Sequence, residues 1–176
     1  MLSATIMFLR LILLGLVALT IACAPAIRVH TVQSPSAHFD RYGTFAFQTE
    51  PRAPASFATS PQSGYVERRV EQLAADVLRG KGYAAAEGPP ADLMIHVSAG
   101  RREREIRLPQ PSRPDWLLED EEDDFVEGAF VIDAFDTRTG EMVWHGSGRL
   151  EIDPRSVQEE RLQRAVRDVL ASFPPR

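Results

Sequence analysis

The 176-residue chain contains a single cysteine, Cys23, and this limits the fold more than any other feature of the sequence. One thiol cannot close an internal disulfide, so packing alone must hold the domain together. It also leaves no cysteine pair for thioredoxin-like redox chemistry and no set of thiolates for a cysteine-built zinc site. About 150 residues follow Cys23, and a body of that size buries roughly 68 to 70% of its unfolded-chain surface, enough for a core without staples.

The position of Cys23 is as informative as its solitude. Arg10 precedes twelve uncharged residues, Leu11 to Ala22, whereas a helix needs about 20 apolar residues to span the hydrocarbon layer. A basic residue, a short apolar run and then small residues form the layout of a secretory signal peptide. Leu19-Thr20-Ile21-Ala22-Cys23 resembles the lipobox of bacterial lipoproteins, with Thr20 where leucine is favoured. That resemblance implies cleavage between Ala22 and Cys23 and acylation of the Cys23 sulfur, which would also remove the only candidate thiol nucleophile. The alternative is that Cys23 is merely a small apolar residue beside a conventional cleavage site. Ala24 rather than Asp follows, and the Gram-negative pattern this resembles implies a lipid anchor in the outer membrane, facing the periplasm.

The expected organisation is therefore a lipoprotein signal peptide over residues 1–22, a lipidated N-terminus and short tether over 23–27, and one domain over 28–176. At no more than about 3.6 Å per residue, that tether holds the domain close to the lipid surface. Met7-Phe8-Leu9-Arg10 makes a compact basic start, so Met7 stands beside Met1 as a candidate initiator.

The net charge of −5 becomes −6 once Arg10 is removed with the leader. A mildly acidic chain gains no general attraction to polyphosphate, so nucleic acid is not an expected partner. Hydrophobic residues at 44% and charged residues at 26% are globular values and exclude wholesale disorder.

Along the body, strand signals fall at Arg28–Val32 and Thr44–Phe47, and a Pro- and Ser-rich loop follows at 49–63. Val66, Val70, Leu73, Ala74, Val77 and Leu78 recur at helical spacing between Gly64 and Arg79. Glu67, Arg68, Glu71 and Asp76 fall mainly on the other side of that helix, and Gly80 and Gly82 supply its stop. Tyr83 opens a short strand. Leu93, Ile95 and Val97 alternate with Met94, His96 and Ser98 as a half-buried strand. A charged, proline-rich loop spans about 101–124, beginning with Arg101, Arg102, Arg104 and Arg107 and ending in the six acids Glu119–Asp124. Ala129–Phe135 and Met142–Leu150 read as paired strands around a turn at Asp136–Gly140. Ser156 and Glu159 fit a capping box for a last helix carrying Leu162, Val166, Val169, Leu170 and Phe173, which Pro174-Pro175 ends. The simplest arrangement is α+β: a mostly antiparallel sheet with two amphipathic helices packed on one face, a two-layer sandwich.

Several segments in order, His38–Phe45, Leu78–Tyr83, Ala91-Asp92-Leu93, Gly128–Trp144 with Asp136, Gly140 and Val143, then Trp144-His145-Gly146 and Phe173-Pro174-Pro175, together resemble the bacterial lipoproteins of domain of unknown function 4136. The resemblance covers nearly the whole body. It implies location and architecture, and carries no catalytic set. The charged segment 101–124 departs from the family pattern, so a function lodged there would be particular to this chain.

Each candidate site has a plainer reading. Glu119–Asp124 offers carboxylates to calcium but lacks ligand alternation and a central glycine, as a solvated loop would. The arginines of 101–107 could meet anionic headgroups or polyanionic sugar, or pair with the acidic run. His30, His38, His96 and His145 lie on different elements without metalloprotease spacing, and only His96 with His145 could share neighbouring strands. Gly146-Ser147-Gly148 lacks the five-residue nucleophile elbow, and its glycines mark a bulge or close approach. Asp136 reads as a turn former, Asp133 as an outward strand residue and Trp144 as a core or sheet-face aromatic.

No catalytic, metal or cofactor site is expected. The expected function is a non-catalytic, membrane-anchored periplasmic lipoprotein. It contacts the membrane through its N-terminal lipid and binds an envelope protein or a cell-wall component. The alternatives are a hydrolase of envelope material built from distant Asp, His and Ser residues, and a carrier with a small apolar pocket between sheet and helices.

Overall fold

Alternating apolar residues build the centre of the domain. The computed structural model describes residues 27–48, 53–86, 90–104, 125–152 and 158–176. Among the described residues six strands form one sheet: β1 (Arg28–Gln33), β2 (Thr44–Gln48), β3 (Ala84–Ala85), β4 (Leu93–Arg104), β5 (Phe125–Asp136) and β6 (Met142–Ile152). The helices are α1 (Ser63–Gly80) and α2 (Glu159–Leu170). Ala22, Cys23 and the tether up to residue 26, most of the charged segment including Arg107 and Glu119–Asp124, and Ser156 lie outside the described residues, while Ile27, the last tether position, packs against the core.

The strand order is β1-β6-β5-β4-β2-β3. β1 with β6, β6 with β5 and β5 with β4 pair antiparallel, while β4 with β2 and β2 with β3 pair parallel. The sheet is therefore mixed rather than mostly antiparallel. The chain leaves β2 through α1 before returning to the sheet, and a helical crossover delivers the next strand parallel, whereas the tight turns a hairpin needs deliver it antiparallel.

Leu93, Ile95, Val97 and Ala99 of β4 and Phe130, Ile132 and Ala134 of β5 join one buried cluster with Val70, Leu73, Ala74 and Leu78 of α1 and Leu162, Ala165, Val166, Val169 and Leu170 of α2. The period-2 and period-3.6 patterns meet in that cluster. Three local expectations change. β4 continues through Arg104, so the first arginines of the basic run are strand residues; Arg102 sits opposite Glu127 and pairs with it. Glu67 lies buried among the apolar positions of α1, and its carboxylate accepts the amide of Ala99, a β4 residue beyond the Leu93–His96 stretch that pairs with β2. α2 starts at Glu159 with Gln158 at its N-cap position, and the Glu159 carboxylate pairs with Arg69 of α1.

The turn after β5 forms as its residues dictate. Asp136 Oδ1 accepts from the amides of Arg138 at 2.8 Å and Thr139 at 3.2 Å, and Gly140 takes φ +72°. The β5–β6 register shifts at Ala134/Phe135, leaving Val143 as an extra residue, and both Val143 and Trp144 are buried. The chain end is part of the core: Phe173 meets Phe39, Tyr83 and Trp144 edge to face with centroids 5.1 to 5.6 Å apart. Among the described residues no helix is long and apolar enough to cross a membrane.

Candidate functional site

Strand alternation decides which side chains leave the core. A Cβ built on Gly146 or Gly148 would lie 2.7 or 3.3 Å from a Val169 methyl, so these β6 positions face α2. His145, Ser147 and Arg149 therefore project from the opposite face. Register then assembles a polar row there: Val32 opposes His145, His30 opposes Ser147 and Arg28 opposes Arg149, while Asp133 of β5 lies between His145 of β6 and His96 of β4. His96 and His145 are thus not on adjacent strands, because β5 separates them.

His145 Nδ1 and Asp133 Oδ1 are 2.6 Å apart, and the His30 ring stands edge to face with the His145 ring at 6.1 Å. The imidazole with its Nδ1 on Asp133 keeps Nε2 for another partner. This is the first link of an Asp–His–nucleophile chain. Among the described residues Ser147, on the same face, makes no hydrogen bond to His145, so the second link is not formed. His96 packs against Phe135 at 4.8 Å. No group of three or more His, Cys, Asp or Glu among the described residues is placed to hold a metal ion.

The loop before α1 crosses this face. Ala58 exchanges both backbone hydrogen bonds with Arg101 at 2.9 Å, and Gly100 lets Pro54 and Phe57 approach the strand. The Phe57 ring lies 4.9 Å from the Arg102 guanidinium and 5.6 Å from that of Arg149. Arg102 is anchored to Glu127, with N···O distances of 2.6 and 2.7 Å. Between loop and sheet runs a groove of about 440 Å³ lined by Arg28, His30, Phe57, His145, Ser147 and Arg149.

Further hollows lie among other described residues. At the β5–β6 turn, His38, Arg41, Tyr42, Asp136 and Arg138 line a cleft of about 440 Å³. Asp136 is already satisfied there. Burial works against the Asp136 charge, but hydrogen bonds from the Arg138 amide, the Tyr42 hydroxyl and the Thr139 amide, with the Arg138 charge, hold its carboxyl below the ordinary range. Burial and that same hydrogen bond push the Tyr42 hydroxyl up. Nearby, Asp92 Oδ2 accepts from Gly43 N–H at 2.8 Å and from Thr44 N–H and Oγ1–H at 2.9 Å, and these bonds, Gly43 foremost, lower its carboxyl against burial. The third hollow, about 660 Å³, lies between α1 and the β2–β3 edge and mixes Phe45 and Phe47 with Arg69 and Arg79.

The sequence singled out His30, His145, Ser147 and Asp133, and the structure brings these onto one face. It passed over Arg28, Arg149 and Phe57. An aromatic in an otherwise small and polar loop was the available signal for Phe57.

The profile of the family described as "Domain of unknown function (DUF4136)" matches residues 29–175. The chain belongs to this family. No curated protein matches it. Among solved structures it is similar to a PelC dodecamer from Paraburkholderia phytofirmans, at 16% identity and TM-score 0.53, covering 86% of this chain and 100% of that one. A DUF4136 family protein from Bacteroides thetaiotaomicron aligns at 14% identity and TM-score 0.52, covering 84% and 95% of the two chains. A PDZ domain protein from Parabacteroides distasonis reaches TM-score 0.56 at 13% identity, with 85% of this chain and 37% of that one covered. At such identities these likenesses establish the shared fold of this DUF4136 member.

Proposed function

We propose that this DUF4136 protein is a binding module of the bacterial envelope without catalytic activity, held by an acylated Cys23 on the periplasmic side of the outer membrane. One observation carries the binding reading: the groove on the sheet face turned away from α2, where cationic, imidazole and hydroxyl groups converge beside Phe57. The two helices belong to the same reading, with α1 against β4, α2 against β6 and both in one buried cluster, closing one layer and leaving the other for a partner. The anchor is supported by the lipobox-like run Leu19–Cys23, since acyl chains contribute about 0.8 kcal/mol per buried methylene.

The test is fractionation combined with crosslinking in intact cells. Cys23→Ser is expected to fold normally and leave the membrane fraction, while the wild-type chain, carrying a photoreactive residue at the groove rim, captures a specific envelope component. Membrane retention of Cys23→Ser removes the anchor, and capture of nothing specific removes the binding module.

A second reading, hydrolysis of envelope material, is favoured by the Asp133–His145 pair beside Ser147. Turnover of isolated envelope polymers by the wild-type chain, lost in both His145→Ala and Ser147→Ala, would establish it in place of the first.

A further inference from the structure

Arg28 and Arg149 face each other in direct register across β1 and β6. Like charges directly opposite on a sheet repel. Among the described residues neither guanidinium has an acidic partner, in contrast to Arg102, which is held by Glu127. The adjacent register pair is His30 and Ser147, so two cations, an imidazole and a hydroxyl form a four-cornered patch on one floor. Phe57 stands over one corner with Arg149 against its ring. This contact orients a planar donor fork before any ligand arrives, which lowers the ordering cost of binding.

We propose that this patch is an anion site for a carboxylate-bearing sugar chain. The inference rests on the binding-module reading and names its ligand. A carboxylate between Arg28 and Arg149 relieves their repulsion and accepts the bidentate hydrogen bonds for which guanidinium is shaped. The rest of the groove separates a sugar from a bare ion. Pro54, Ala55, Ala129 and Val131 supply apolar wall for the C–H face of a ring, while His30, Ser147 and His145 supply partners for hydroxyls. The groove is open and about 440 Å³, suited to a stretch of a polymer lying across the strands. Asp133, the acid bordering the row, is occupied by His145.

The test uses the full chain in mild detergent with a fluorescent oligogalacturonate. Saturable binding is expected, weakened about ten-fold by Arg149→Gln and about ten-fold by Arg28→Gln, as loss of a charge-assisted hydrogen bond predicts. Arg79→Gln, on α1 and paired with Asp76, leaves binding unchanged. Phe57→Leu weakens binding although no charge changes. Arg149→Lys, which keeps the charge without the planar fork, falls between wild type and Arg149→Gln, and guards against a Gln variant that misfolds. Absence of binding by the wild-type chain, or wild-type affinity in the Arg28→Gln/Arg149→Gln variant, overturns the site. Competition by inorganic phosphate or by phosphatidylglycerol vesicles as strong as that by unlabelled oligogalacturonate overturns the sugar assignment. Should the oligogalacturonate fail while groove crosslinking still captures an envelope component, the ligand class is wrong and the binding module stands.

Discussion

Glu67 Oε1 on α1 accepts the backbone N–H of Ala99 on β4 at 3.1 Å, inside the core, with only 6% of Glu67 exposed. A helix side chain thus serves the edge of β4 beyond the Leu93–His96 stretch that pairs with β2. Replacing Glu67 with Ala leaves a buried donor unpaired, and a loss of about 1 to 3 kcal/mol is expected in urea unfolding. Glu67→Gln keeps an acceptor in reach and should retain more of that stability; equal losses in the two variants would show that the amide contact matters little.

At Gly146 the Trp144 ring folds back over the strand and Val169 of α2 approaches it. A Cβ there would stand 2.1 Å from a Trp144 ring carbon and 2.7 Å from Val169. Gly146→Ala therefore overpacks the core, with an expected destabilisation of about 1 to 3 kcal/mol visible as a lowered melting temperature. Trimming Val169 to Ala in the same chain should recover part of the loss, because it clears one of the two obstructions.

Phe173 is 1% exposed and touches three aromatic rings although it lies three residues from the C-terminus. The segment is fastened by Lys81 Nζ, which donates to the carbonyls of Ala171 at 3.2 Å and Phe173 at 2.7 Å, and by Tyr83 Oη, which donates to Pro174 O at 3.0 Å. Phe173→Ala should cost about 3 to 5 kcal/mol by chemical denaturation, a core-sized loss from a terminal residue. Lys81→Met, which removes only the fastening, should cost clearly less.

Asp92 and Asp136 make stability depend on acid. Both carboxyls are lowered in the folded chain, so the unfolded state binds protons first as pH falls. Their contribution is fully present above the ordinary aspartate value of about 3.9 and is lost as pH falls from there through the lower folded values. Denaturant midpoints recorded down this range should fall more steeply in wild type than in Asp92→Asn or Asp136→Asn. A wild-type slope matched by both variants would place the acid sensitivity in other groups.

The amphipathic stripe of α1, the alternation in β4 and β5, the Asp136–Gly140 turn and the glycine approach at Gly146 were all legible in the sequence. Each depends on residues a few positions apart, and the helical or extended backbone repeats them on that scale. The parallel direction of β2 was not legible, because it follows from how α1 carries the chain back to the sheet. Nor was the burial of Glu67, whose reason, an unpaired amide, lies 32 positions away on another element. The same limit governs the open face: His145 and Asp133 are near in sequence and were noticed, whereas Arg28 meets Arg149 only through β1–β6 register. Local spacing set which residues form each element and which side of it they occupy. Which charges stand together was decided by pairing between distant strands, since that depends on the packing of the whole sheet.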